Sequence, residues 1–342
     1  MKYASLRYYG SNIGDVVQII ASSRFIPQVD AWCNREALNT YVLEEAHKII
    51  LNGWFLHRPE NFRLHRSLVP LLISMHVAPK AAERFFRPDV VAYLRDHGPV
   101  GCRDSYTLRL MARQGIPAYF SGCLTLTLEP NPTFPKRDYA FCVDLEPACV
   151  AHVRNVFPGP VYEAHPMWDV SASFYERLPQ VTLFLKKLQQ AKCVITRRLH
   201  AALPAMALGT PVIFVNEPNY NTVAERCSDF LGLFPRVVTA ERFVEELSVD
   251  VLESLQPSTA YQVLRDRLVE TCRTFTGYDR GCVLPSTTDD DDVMMMLNAQ
   301  QRKSGEGDGH EWPRFLYWQS NKKLLRFILQ RAVGKMRWWN ID

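Results

Sequence analysis

No stretch of about 18 uncharged apolar residues occurs in this chain, so no membrane-spanning helix is expected. The opening segment, MKYASLRYYGSNIGD, lacks a long apolar core and a small-residue cleavage site, and does not read as a secretory leader. The nine cysteines are odd in number, scattered, and never spaced C-x-x-C, which argues against a zinc ribbon. The nine histidines form no H-E-x-x-H. Neither G-x-G-x-x-G nor G-x-x-x-x-G-K-[ST] occurs, so a dinucleotide fingerprint and a P-loop are both missing. No sequence repeat is evident. A dominant charge of one sign is also lacking. The net charge is +4, and residues 312–342, with seven Lys/Arg against one acid, carry +6 of it, which leaves −2 for the rest. A near-neutral body argues against a nucleic-acid binder.

What remains is an ordinary globular composition. The 342 residues suit roughly two domains, with 47% apolar and 22% charged residues. Cys142 and Cys193 sit in apolar runs, where a free thiol acts as a small hydrophobe. Scattered free thiols point to a reduced, cytoplasmic compartment.

Short β-rich runs alternate with helical patterns. Strands are expected at 3–8, 48–52, 71–74, 99–102 and 116–119, with helices near 36–46, 60–68 and 89–95. Asp15 is expected to cap a first helix, and Asp104 one running to Gln114. Residues 129–137 (EPNPTFPKR) read as a linker with three prolines. The pattern then restarts. Strands are expected at 138–144, 161–165, 193–196 and 211–215, helices at 178–190 and 199–208, and a closing helix at 260–273. The expectation is an α/β fold of two Rossmann-like domains, 1–128 and 138–280. A flexible linker over 281–311 and a basic amphipathic segment over 312–342 would follow.

Three segments lie where a strand hands over to a helix, the place where parallel sheets bind ligands. The first is Thr196-Arg197-Arg198-Leu199-His200 with Gly209-Thr210-Pro211 behind it. Guanidinium forks suit phosphate and carboxylate, and a histidine can donate a bond or pass a proton. The second is Gly101-Cys102-Arg103-Asp104, whose arginine would face Arg198 and His200 across a cleft. The third is Asn12-Ile13-Gly14-Asp15, where Gly14 permits an unusual backbone angle and Asn12 and Asp15 are suited to sugar hydroxyls. Each has a plainer reading. The arginines could pair with neighbouring acids at strand ends, and Asp15 could merely cap its helix. His165, Glu217, Asn219 and Tyr220 lie at further strand ends. The run Asp289–Asp292 reads as solvated linker, and no metal site or cofactor is expected.

Taken in order, Asn12–Asp15, Gly101–Asp104 with Ser121-Gly122-Cys123, and Thr196–His200 with Gly209–Val212 resemble the polysaccharide pyruvyl transferases over roughly residues 5–235. The resemblance implies two Rossmann-like domains in a GT-B-like arrangement and phosphoenolpyruvate as donor. By motif, donor binding falls to Arg103, Arg198, Leu199 and His200. On this reading Arg103 and Arg198 would hold phosphate and carboxylate, and Arg197, Asn12, Gly14 and Asn219, from their places at strand ends, are expected as further binding residues. His200 would act as the acid, and Asp15 would orient or deprotonate the acceptor hydroxyl. A sugar in a polysaccharide or on a lipid carrier would be the acceptor, and 312–342 would either rest on the membrane's inner face or dock as a helix with its apolar side on the body. Two other readings keep the same scaffold: a glycosyltransferase using a nucleotide sugar, and a silent glycan-binding adaptor.

Overall fold

A computed structural model describes residues 1–279 apart from 9, 11, 56, 166–173 and 218–224. The expectations for Asn219, Tyr220, the linker 281–311 and the segment 312–342 lie outside the described residues. The chain builds two parallel sheets. The first contains β1 (Lys2–Arg7), β2 (Ala31–Asn34), β3 (His47–Phe55), β4 (Leu68–Val77), β5 (Val100–Cys102) and β6 (Ala118–Phe120), in the order β2-β1-β3-β4-β5-β6. The second contains β7 (Ala140–Val143), β8 (Val161–Ala164), β9 (Cys193–Thr196), β10 (Val212–Asn216) and β11 (Arg236–Thr239), in the order β11-β10-β9-β7-β8. Every pairing is parallel. In each sheet the second strand lies on one side of the first and all later strands on the other. The winding therefore reverses beside β1 and beside β7, and ligands gather at the carboxyl ends there.

The helices are α1 (Ile13–Ser23), α2 (Ala82–Phe85), α3 (Pro88–Asp96), α4 (Ser105–Arg113), α5 (Pro147–Val156), α6 (Phe174–Gln190), α7 (Leu199–Ala207), α8 (Glu225–Leu231), α9 (Phe243–Glu246), α10 (Val249–Ser254) and α11 (Gln262–Thr276). Strands covered on both faces need apolar side chains on both. Accordingly β7, Ala-Phe-Cys-Val, and β9, Cys-Val-Ile-Thr, are buried at every position. Helix α7 is apolar all round and buried at every residue, as a helix enclosed on all sides must be. It touches α1, α6 and the 3-10 turn Leu124–Thr127, so it meets elements of the first half as well as its own. One apolar cluster runs from Leu6 and Ile49 in the first sheet to Val194 and Phe214 in the second.

Several elements differ from the sequence expectation. No α-helix forms over 36–46 or 60–68. The first is a 3-10 turn, Arg35–Thr40, broken at Ala37, and the second shrinks to Pro59–Asn61. Phe62 and Leu64 are both buried while Arg63 between them is exposed, a two-residue period that belongs to extended chain. The short strands β2 and β11 were not anticipated. Asp15 does not cap α1. Asn12 does, its side chain accepting the Gly14 N–H at 3.0 Å. Helix α11 was expected to close the second half, yet it lies against the first. The Tyr3 hydroxyl donates to the Thr276 carbonyl (3.1 Å) and Lys48 Nζ to the Phe275 carbonyl (2.6 Å). Just past α11, Asp279 pairs with the buried Arg24 at 2.7 Å, and Arg24 also holds Glu129 at 2.8 Å.

Candidate active site at the carboxyl ends of the two sheets

Arg103 leaves the end of β5 with no accessible surface. Its Nη1 donates to Gln18 Oε1 on α1 at 3.2 Å and lies 3.5 Å from His200 Nε2 on α7. Its Nε is 3.7 Å from the Asp104 carboxylate, beyond hydrogen-bond range. Neither Nε nor Nη2 has a hydrogen-bond partner within the protein. Asp104 is spent elsewhere. One oxygen caps α4 through the Thr107 N–H (2.9 Å) and the Thr107 hydroxyl (2.8 Å). The other stands 2.5 Å from His76 Nδ1. Burial and the Arg103 charge push His76 down to about 4 against the pull of Asp104. Near neutrality His76 is therefore a neutral donor to a carboxylate. For Asp104, burial would raise the carboxyl, but the His76 and Thr107 bonds and Arg103 hold it well below the usual range.

The second half presents its own cluster around Asp144. This residue follows β7 with φ of 55°, a left-handed conformation costly for a side chain. Its Oδ2 accepts from Arg197 Nε (3.3 Å) and Arg198 Nε (2.5 Å), and its Oδ1 pairs with His165 Nε2 at 2.9 Å. Arg197 also binds Glu146 (2.8 Å) and Glu217 (2.9 Å) through Nη1. One carboxylate thus fixes the direction of both arginines that follow β9. The Thr196 hydroxyl adds a bond to the Val143 carbonyl (2.8 Å) and accepts the Arg198 N–H (2.9 Å), tying β9 to β7 at the same level.

His200 joins the halves. A Cβ placed on Gly14 would stand 2.7 Å from His200 Nδ1 and 2.8 Å from its Cβ. Gly14 is in regular helical conformation inside α1, so its expected role in an unusual backbone angle is corrected. The position needs glycine because the imidazole lies against it. Burial, then the charges of Arg103, Arg226, His76 and Arg198, hold His200 well below the usual histidine range. It is neutral at pH 7, and the expectation of a standing imidazolium acid does not fit the free protein. Arg226, on α8, is itself lowered by burial and by Arg103, and its Nε lacks a hydrogen-bond partner. Asp229, on the same helix, accepts the N–H (2.6 Å) and hydroxyl (2.9 Å) of Ser105 at the start of α4. That contact sets α8 against the first half and Arg226 beside Arg103. The enclosed gap lined by Asn12, Gly14, Arg197, Arg198, His200 and Arg226 has about 20 Å³, room for about one water.

Of the sequence-predicted residues, Arg103 and His200 come together, and Asn12, Gly14, Arg197, Arg198 and Leu199 line the same gap as His200. Asp15 is buried and ion-paired with the buried Arg35 at 2.7 Å. A carboxylate held this way is poorly placed to serve as a free base, because any proton it takes must break a buried pair. Asp144 and Arg226 were missed. Asp144 had a signal, since it ends an apolar strand at a reversal point. Arg226 had none, because α8 has no motif around it. Among the described residues no three His, Cys, Asp or Glu side chains converge as a metal set, and no helix is long and apolar enough to cross a membrane.

Comparison with known proteins bears on identity. No curated protein sequence matches the chain. Similar solved structures include an uncharacterized protein from Klebsiella pneumoniae subsp. pneumoniae, 15% identical over 69% of this chain and 92% of that one, with a TM-score of 0.42. The wall teichoic acid polymerase TagF is 9% identical over 90% of each chain, at 0.34. The calicheamicin glycosyltransferase CalG4 is 14% identical over 76% of this chain and 70% of that one, at 0.26. The sequence model of one family matches residues 12–219, from the cap of α1 to beyond β10, and so spans every segment that builds the gap up to that point. The chain belongs to the polysaccharide pyruvyl transferase family and is a transferase.

Proposed function

We propose that the chain transfers the pyruvyl group of phosphoenolpyruvate to hydroxyls of a sugar in a polysaccharide or its lipid-linked precursor. The observation that carries this reading is the Arg103 guanidinium, wholly buried with two nitrogens unclaimed, beside Arg226 and a neutral imidazole. The nearest carboxylate, Asp104, is 3.7 Å from Nε and takes its hydrogen bonds elsewhere, so the guanidinium's free N–H groups are left to bind a small dianion. A three-carbon acid bearing phosphate and carboxylate supplies two such anionic groups. Arg103 and Arg226 take one of them, and Arg198, aimed by Asp144, takes the other.

His200 is neutral until the donor arrives. The donor's negative charge raises its proton affinity, so binding recruits the proton that the reaction needs. His200 then passes that proton to the donor methylene carbon, which becomes a methyl group and leaves C2 cationic. A sugar hydroxyl bonds to C2 and its proton returns to His200. A second hydroxyl bonds to C2 and closes the ring as the C2–O bond to phosphate breaks, its proton going to the departing phosphate, giving one cyclic ketal and one hydrogen phosphate. The 20 Å³ gap must widen to admit the donor. We assign 1–128 together with 262–279, and 138–261, to two Rossmann-like domains in a GT-B-like arrangement, joined by 129–137. The aromatic and basic residues of 312–342 suit an acceptor at an anionic lipid surface.

The test is incubation with labelled phosphoenolpyruvate and a panel of free and lipid-linked sugars, followed by phosphate release and mass analysis. The expected result is phosphate in step with a sugar carrying one pyruvyl ketal. The reading is overturned if phosphoenolpyruvate leaves the melting temperature unchanged while a nucleotide sugar raises it.

A further inference from the structure

We propose that the acceptor's sugar ring stacks on Trp54 and His57, with Arg35 and Glu36 binding two of its neighbouring hydroxyls. The proposal rests on the pyruvyl-transfer reading and assigns its second substrate a seat. All four residues lie at the carboxyl ends of β2 and β3, the edge from which Arg103 also emerges behind β5.

The register of β3 against β4 slips between Leu51 and Gly53, and Gly53 has φ of +112°. Such a bulge re-aims the residues after it. Trp54 is left only half-buried and His57 exposed, their ring centroids 4.4 Å apart at 55°. A tryptophan face left partly in water forgoes much of its burial gain. The face of a pyranose ring, lined with C–H bonds of slight positive charge, matches the negative face of an aromatic ring.

Beneath this wall sits a polar floor. Arg35 is 3% exposed, with its Cζ 4.1 Å from the Tyr8 ring centre and 5.6 Å from that of Trp54. Its Nη1 is held by Asp15, while Nε and Nη2 have no hydrogen-bond partner. Glu36 Oε2 accepts the Arg58 N–H at 2.9 Å, but Oε1, 3.5 Å from Arg35 Nε, likewise has no hydrogen bond. Buried polar atoms nearly always find partners. An adjacent donor and acceptor suit two vicinal hydroxyls, each of which both donates and accepts.

The seat adjoins the anion site through Gln18. Its Oε1 accepts from Arg103, and the same atom would stand 3.4 Å from a Cβ on Gly53. A Cβ on Gly53 would also stand 3.7 Å from Arg35 Nη1, so the floor of the seat and the group that binds the donor are both next to Gln18.

The test uses the full chain and a panel of methyl β-D-gluco-, galacto- and mannopyranosides with their N-acetylated counterparts. Binding is read by saturation-transfer NMR and, separately, phosphoenolpyruvate binding by calorimetry. Trp54→Ala should weaken the pyranoside that binds the unaltered protein by about fivefold to tenfold. Trp54→Phe should retain most of the affinity, and the donor's Kd should change less than about twofold in both. His57→Ala, at an exposed position, should weaken the sugar without altering the melting temperature. Undiminished sugar binding in both alanine variants overturns the proposal, as does a wild-type protein that binds no pyranoside of the panel. Loss of donor binding alone, with the sugar still dependent on Trp54, strikes at the donor reading instead.

Discussion

Gly14→Ala is the smallest change that separates site geometry from fold stability. The added methyl would stand 2.7 Å from His200 Nδ1, and ordinary carbon contacts begin near 3.5 Å, so the ring or α1 must yield by roughly 0.8 Å. The ring has little room to retreat, because Arg103 Nη1 lies 3.5 Å from its Nε2 and α7 is buried on all sides. Overpacking of this kind costs about 1–3 kcal/mol. Alanine in place of a helical glycine returns about 1 kcal/mol. The net loss of stability is therefore about 0–2 kcal/mol, and a reactive group displaced by almost 1 Å loses on the order of 100-fold in turnover. The assay pairs denaturant unfolding with phosphate release from phosphoenolpyruvate at saturating acceptor. A variant folded within about 2 kcal/mol of the parent but nearly inactive is expected. Parental turnover would refute the placement of His200 against α1.

Stability should fall as pH drops from 7 to 5. His76 has a folded value of about 4 against 6.5 for an ordinary histidine, so the unfolded chain takes up the proton first and stability is lost from about 6.5 downward. At pH 5 this single group contributes a loss of about 2 kcal/mol. Urea midpoints that stay flat over that range, or a His76→Gln variant with the parent's slope, would count against it. Donor binding at pH 7 should draw a proton into the protein through His200, read as a dependence of calorimetric heat on the buffer's ionisation enthalpy. Equal heats in all buffers would remove His200 as the proton carrier. Asp144→Gly should relieve about 1 kcal/mol of backbone strain yet remove the Asp144 contact to Arg198 and His165, while Arg197 keeps Glu146 and Glu217. Donor affinity should fall about tenfold or more while the melting temperature holds. An unchanged Kd would show that the clamp does not aim Arg198. Asp229→Ala removes the cap on Ser105 at a cost of about 1 kcal/mol. It should raise KM for the donor more than it lowers kcat, because Arg226 rides on the same helix.

Much of this architecture can be read from the sequence because strands buried on both faces must be continuous apolar runs, as in Cys193–Thr196 and Pro211–Val215. Arg103, Arg198 and His200 were legible for a related reason: each lies within four residues of the end of such a strand, where parallel sheets expose their ligands. The roles of Asp15 and Gly14 were not legible. Asp15 is claimed by Arg35, twenty residues away, and Gly14 by His200 on the other sheet, and neither partner leaves a local pattern. Asp144 hid as the last residue of an expected strand although its φ and its partners, two arginines and a histidine, set it apart. The helix expected at 60–68 failed because Phe62 and Leu64, two residues apart, share one face only in extended chain.

The return of α11 to the first sheet has a practical corollary for dissecting the chain. Backbone crosses between the halves twice, once through 129–137 and again ahead of residue 262, and Glu129 binds both Arg24 and Arg265 where the crossings meet. Trimming from the carboxyl end at about residue 260 would therefore strip a wall from the half made of the earliest residues, uncovering Tyr3, Lys48 and Arg24, and leave the later sheet intact. A fragment designed to isolate the amino-terminal sheet has to carry residues 262–279 as a separate piece, supplied in trans or fused after residue 128.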